Sequence, residues 1–133
     1  MMLKIKPDLQ KSKALIEMAK ITIARLNELD IYKYPTNTLT DYYDAIHKLM
    51  ESITLGEGIK MKGDGAHQEL IDYVSRKYNL GEADRIFMQE MRDFRNRTSY
   101  EGFMVKKEYI ESNIKRIKNI LTFLGNLLGV KIL

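Results

Sequence analysis

Three arginines fall within six residues in the run Arg92-Asp93-Phe94-Arg95-Asn96-Arg97-Thr98-Ser99-Tyr100-Glu101-Gly102-Phe103. A guanidinium carries five donors in a planar fork and suits a phosphate gripped through two parallel hydrogen bonds, so arginines at this density point to an anionic ligand. The surrounding charge agrees. From Arg92 to Lys118, eight basic residues (Arg92, Arg95, Arg97, Lys106, Lys107, Lys115, Arg116, Lys118) stand against four acidic ones (Asp93, Glu101, Glu108, Glu111), an excess equal to the net charge of +4 of the whole chain. A positive excess confined to one segment is expected of a surface that meets phosphates; the plainer alternative is a solvated basic face. Arg92, Arg95, Arg97 and Lys106 are therefore the candidate phosphate or nucleic-acid contacts.

Two other patterns bear on chemistry. Asp44-Ala45-Ile46-His47 and Asp64-Gly65-Ala66-His67 repeat a carboxylate-x-x-histidine spacing that metal sites in helical bundles use. No inward-facing pair of glutamates accompanies them, Asp64 reads more simply as a helix cap, and His67 reads as a half-buried, hydrogen-bonded histidine, so no metal is expected. The segment Gly56 to Gly65 holds four of the eight glycines but lacks the spacing G-x-x-x-x-G-K-[ST] of a phosphate-cradling loop, and its Lys60 and Lys62 are expected to face water. With no cysteine in the chain, disulfides, thiolate metal centres, iron–sulfur clusters and thiol nucleophiles are all excluded. No cofactor is expected.

The run Arg95-Asn96-Arg97-Thr98-Ser99-Tyr100-Glu101-Gly102-Phe103 resembles the motif region of the HEPN superfamily (higher eukaryotes and prokaryotes nucleotide-binding), small all-helical proteins whose active motif joins an arginine, the polar residue after it and a histidine a few positions on. Tyr43-Asp44-Ala45-Ile46-His47-Lys48-Leu49-Met50-Glu51-Ser52-Ile53 resembles the second helix of that family, and the glycine-containing loop before His67-Gln68-Glu69-Leu70 resembles the approach to its third. The resemblance spans about residues 8 to 128. It implies a bundle that dimerises so that two arginine motifs share one basic cleft. It further implies binding of RNA or a nucleotide phosphate, metal-independent RNA cleavage by attack of a 2′-hydroxyl on its own phosphate, and service as the toxin beside a nucleotidyltransferase antitoxin. Carried over position by position, Arg95 is the motif arginine, Asn96 the following polar residue, and Tyr100 stands at the histidine position. A phenol near pKa 10 is a poor general base where an imidazole near 6.5 is a good one, so phosphate binding survives the exchange better than catalysis does. The alternative function is a catalytically inactive interaction module that docks a partner such as a nucleotidyltransferase.

Geometry constrains this motif. Residues five apart on a straight helix point about 140° apart, so Arg95 and Tyr100 can share a ligand only if the helix breaks before Tyr100, as Gly102 suggests, or if Tyr100 comes from a second protomer. Otherwise Arg95 and Arg97 pair with Asp93 or Glu101 and Tyr100 packs at the helix end.

The elements that must position these residues follow from apolar spacing. Helix one is expected over Asp8 to Asp30, with Leu15, Ile16, Ala19, Ile23, Leu26 and Leu29 inward and Pro7 suited to the first turn. Ile31 to Leu39, with Pro35 and three polar residues after it, reads as a connection, and Thr40 as the cap of helix two, whose face is Tyr42, Ile46, Leu49 and Ile53. Helix three is expected over Ala66 to Tyr78 with His67, Leu70, Ile71 and Val74 inward. Helix four is expected over Glu82 to Thr98 with Ala83, Phe87, Met91 and Phe94 inward, and helix five over Lys106 to Leu128 along Ile110, Ile114, Ile117, Leu121, Leu124 and Leu128. No strand-like alternation competes. The expected fold is all-α: one domain over residues 1–133, an up-and-down bundle of four main helices plus one shorter helix. The surplus apolar positions Ile120, Phe123, Leu127, Val130 and Ile132 suggest a homodimer that covers them.

Composition sets the outer bounds. A chain of 133 residues with 44% hydrophobic and 30% charged residues has the makings of one folded domain and excludes disorder. The first residues lack the apolar core of a signal peptide, and Ile117 to Leu133 is broken by Lys118, Asn119, Thr122, Asn126 and Lys131, so neither export nor membrane insertion is expected and the cytoplasm is the expected location.

Overall fold

A computed structural model describes all residues, 1–133, as an all-α bundle of five helices joined to a two-stranded ribbon. In chain order the elements are β1 (Met2–Lys4), α1 (Leu9–Asn27), α2 (Pro35–Gly56), β2 (Ile59–Met61), α3 (Ala66–Lys77), α4 (Glu82–Glu101) and α5 (Lys107–Leu128). None of the helices is long and apolar enough to cross a membrane.

α1 opens where Asp8 accepts a hydrogen bond from the Lys11 amide at 3.0 Å, satisfying one of the orphan donors of the first turn. It buries Leu15, Ala19, Ile23 and Leu26 but ends before Leu29, which is exposed rather than inward. α2 starts six residues earlier than a cap at Thr40 would have it, at Pro35. Proline at the first helical position loses no hydrogen bond and arrives with a helical φ, so a residue that reads as a turn signal here begins the helix. The threonines that follow serve tertiary contacts: Thr38 donates to the Ile31 carbonyl at 2.6 Å, and the Thr36 hydroxyl accepts from the Val105 amide at 2.9 Å. Thr40, expected as the cap, lies inside the helix and donates to the Thr36 carbonyl.

α2 is the centre of the molecule. Beyond the expected Tyr42, Ile46, Leu49 and Ile53, it buries Tyr43, Ala45, Met50, Ser52 and Leu55, so almost every face is covered. Its buried polar side chains Thr38, Ser52 and Thr54 are held by hydrogen bonds. Ser52 and Ser12 exchange hydrogen bonds through both hydroxyls and carbonyls, which lets α1 and α2 approach closely.

The ribbon departs from the strand-free expectation. Met2 pairs with Met61, Leu3 with Lys60 and Lys4 with Ile59, antiparallel. Strands three residues long show no alternation in the sequence, and the pairing depends on Gly58: at φ +79° its carbonyl accepts from Ile5, and a Cβ there would lie 2.7 Å from the Ile5 carbonyl oxygen. At the other end of the chain, Gly125 allows residues 129–133 to fold back over α5, with Val130 donating to its carbonyl and Ile132 seated against it. Ile120 and Ile132, two positions of the apolar surplus that suggested a dimer, are buried within one chain, whereas Leu127 remains exposed.

Candidate functional site

α4 does not break before Tyr100. It continues to Glu101 and stops at Gly102, whose φ of +69° provides the left-handed cap. Arg95 and Tyr100 therefore diverge, and Tyr100 is 87% exposed with no packing partner. Arg97 lies on the outer side with it, bonded to Glu101 at 3.1 Å and stacked on Phe103 at 4.2 Å. Lys106 is the extended residue that precedes α5 and borders a groove formed by Phe94, Phe103, Val105 and Tyr109.

Arg92 and Arg95, three apart on α4, occupy a different face. Arg95 approaches Asp44 of α2, but at 3.8 Å, and the two side chains are 33% and 35% exposed. An ion pair of that length and exposure contributes little to stability and leaves most guanidinium donors free. Arg92 bonds through Nε to the Gln89 side chain at 2.9 Å and meets no carboxylate. Asn96 is half-buried beside Arg95.

What these two arginines adjoin is a cluster the sequence patterns do not reveal. His47 of α2 and His67 of α3 stack face to face, ring centroids 3.9 Å apart and planes inclined by 22°. Tyr43, one turn before His47, has its ring 6.2 Å from each of them, and its hydroxyl lies 3.2 Å from Nδ1 of His67. The Tyr43 side chain is fully buried, and burial pushes its phenol well above the usual range in spite of Arg92 and Arg95 nearby, so the proton stays on. Nδ1 of His67 is the one partner within reach, so a satisfied hydroxyl donates to it, and neutral His67 then carries its own proton on Nε2.

Both imidazoles are held uncharged. Burial, then the neighbouring His67, then Lys48 and Arg95, lower His47 to about 3. Burial and the two arginines lower His67, against a smaller opposing pull from Glu51 and Asp44. The site as a whole combines two guanidinium groups with free donors, a neutral imidazole pair and a phenol fixed as a donor. Such a set accepts an anion, and His47, lowered to about 3, does not supply a base matched to neutral pH.

No group of three or more His, Asp or Glu side chains gathers as metal ligands. The two Asp-x-x-His pairs separate: Asp44 faces Arg95, while Asp64 is exposed and does not cap α3, whose N-cap is Gly65 at φ +75° with no side-chain bond. The glycine preempts that role because it takes the left-handed conformation without strain. His67 is half-buried and hydrogen-bonded, as its place on the inward stripe of α3 suggests. The residues that sequence reasoning missed are Tyr43 and His47 as a unit with His67. Their i,i+4 spacing on α2 was visible; the adjacency of α2 and α3 that completes the stack was not.

Comparison of the chain with protein-family models, with curated proteins and with solved structures returned no match, so the reading of this site rests on its own geometry.

Proposed function

We propose that the protein binds RNA, or a nucleotide, through phosphate held by Arg92 and Arg95 beside the His47–His67 pair, with Asn96 as an added donor. The observation that carries this reading is the arrangement of the two guanidinium groups. They project from one face of α4 next to two neutral imidazoles, and the single carboxylate in reach of Arg95 stands 3.8 Å away. A phosphate would gain charge-assisted hydrogen bonds there, with only a weak internal pair to displace. The resemblance of Arg95-Asn96 to the HEPN motif supports the same ligand. In that reading the four longer helices form an up-and-down bundle with α3 as the short fifth, and the chain works as a homodimer, which is the one way for the exposed Tyr100 of a second copy to join Arg95.

Binding is favoured over turnover. RNA cleavage by a 2′-hydroxyl needs a proton acceptor matched to neutral pH, whereas Tyr100 is a solvent-exposed phenol on the far side of α4 and His47 is lowered to about 3. A docking role toward a nucleotidyltransferase remains the rival, and it predicts a heteromeric complex with no affinity for RNA.

The test is fluorescence anisotropy of a labelled single-stranded RNA at fixed salt. Arg95→Ala is expected to weaken binding about tenfold, the order expected from losing a charge-assisted pair. Arg97→Ala, on the outer face and paired with Glu101, is expected to change it less than threefold. Equal effects of the two variants, or unchanged affinity in Arg95→Ala, would reject the assignment.

A further inference from the structure

Next to the histidine pair, between the first turn of α1, the ribbon and the start of α3, lies a partly open pocket of about 120 Å³. Its volume equals the liquid share of about four waters, which admits one small planar group and excludes a whole nucleotide. Its walls are of four kinds. Leu55, Met61 and Leu70 supply an apolar lining, and His47 and His67 bound it with flat uncharged rings. Glu51, one turn beyond His47 on α2, contributes a half-buried carboxylate that takes part in no ion pair or side-chain hydrogen bond. Lys60, on β2, and Lys11, in the first turn of α1, bring equally unpaired ammonium groups to the rim.

Each wall selects for a feature of the ligand. Apolar and imidazole surfaces favour a π-face, since unstacked bases bind on aromatic rings of this kind. A carboxylate accepts from an amino group, and an ammonium donates to a carbonyl or ring nitrogen. Cytosine offers its N4 amino group to the first and its O2 and N3 acceptors to the second. Uracil lacks the amino group, and adenine and guanine meet both charged groups only by bringing a second ring that a space of this size does not admit. His67 lies within electrostatic reach of both Glu51 and Arg95, so the cavity and the phosphate-binding arginines adjoin the same ring.

We propose that this cavity receives the base of the nucleotide whose phosphate Arg92 and Arg95 hold, and that it prefers cytosine, with Glu51 accepting from N4 and Lys60 donating to O2. The proposal rests on the phosphate-binding reading above and adds the choice of base.

Calorimetric titration with CMP, UMP, AMP, GMP and inorganic phosphate at one salt concentration tests it. CMP is expected to bind about tenfold more tightly than UMP or AMP, and more tightly than GMP or phosphate alone. Glu51→Gln should erase the preference while leaving the affinity for inorganic phosphate unchanged. Lys60→Gln, at an exposed ribbon position that the fold tolerates, should weaken CMP several-fold. Arg95→Ala should weaken all four nucleotides alike and keep their order. Four nucleotides within twofold of one another, GMP above CMP, or a preference that survives Glu51→Gln or a CMP affinity that survives Lys60→Gln would overturn the base assignment, even where Arg95→Ala still lowers affinity. Nucleotide binding that keeps its order but ignores Arg95→Ala would overturn the phosphate reading instead. Absence of binding by every ligand would overturn both.

Discussion

At the scale of single residues, the unusual expense in this molecule is two imidazoles kept neutral beside two guanidinium groups. A histidine that stays uncharged in the folded chain but protonates freely in the unfolded one lowers stability as the solution turns acid. For His47 the sign is definite. Its folded value, about 3, lies below the ordinary 6.5, so the unfolded state binds the extra proton first, and stability is full above pH 6.5 and falls as pH drops from there toward 3. A single such group can contribute a slope of up to about 1.4 kcal/mol per pH unit. Urea unfolding at pH 7 and pH 5 should show this loss, and His47→Phe, which keeps a ring in the stack, should reduce it; identical slopes in the two proteins would contradict the account. Tyr43→Phe removes the donor to Nδ1 of His67 and should cost about 1 kcal/mol at pH 7 by the same measurement, with no loss of packing.

At the scale of elements, the ribbon and the C-terminal tail each turn on a glycine that packing requires. Gly58 combines a left-handed φ with a carbonyl oxygen 2.7 Å from where a Cβ would stand, so Gly58→Ala should destabilise by about 1–3 kcal/mol and loosen β2, which lines the cavity. Gly125→Ala would set a methyl 2.9 Å from both Ile132 and the Val130 carbonyl, and a similar loss is expected as the tail lifts from α5. Retention of wild-type stability in either variant, measured by denaturant midpoint, would show that the close approach is not required. These contacts also mark what the sequence could not reveal. The stripes of α2 and α5 were legible because burial repeats at helical spacing along Tyr42, Ile46 and Leu49 and along Ile110, Ile117, Leu121 and Leu124. Pro35 was not, because the same fixed φ serves a turn and a first helical residue. The ribbon was not, because a pairing between residues nearly sixty apart in the chain leaves no local period. Arg95 was legible as a candidate by its density of charge; its neighbours Tyr43, His47 and His67 depend on how three helices pack, which no spacing within one helix reveals.

At the scale of the whole molecule, the three arginines of α4 divide between two faces. Arg92 and Arg95 turn toward α2 and α3, while Arg97 and Tyr100 turn outward with Glu101. A second copy is the proposed means of bringing the outer set to the inner one, and sedimentation equilibrium should then give twice the mass of 15.6 kDa; a monomer at hundreds of micromolar would remove Tyr100 from the site. The claim that matters most is that RNA phosphate lands at the arginines beside the histidine pair. The chain has two histidines, and both lie in that pair, so their ring carbon-bound protons form a two-signal reporter of the site in a nuclear magnetic resonance titration. On addition of single-stranded RNA both signals should shift and saturate together, and their titration midpoints should rise as the bound anion offsets the arginine charge. RNA that binds with both histidine signals unmoved would contradict the account.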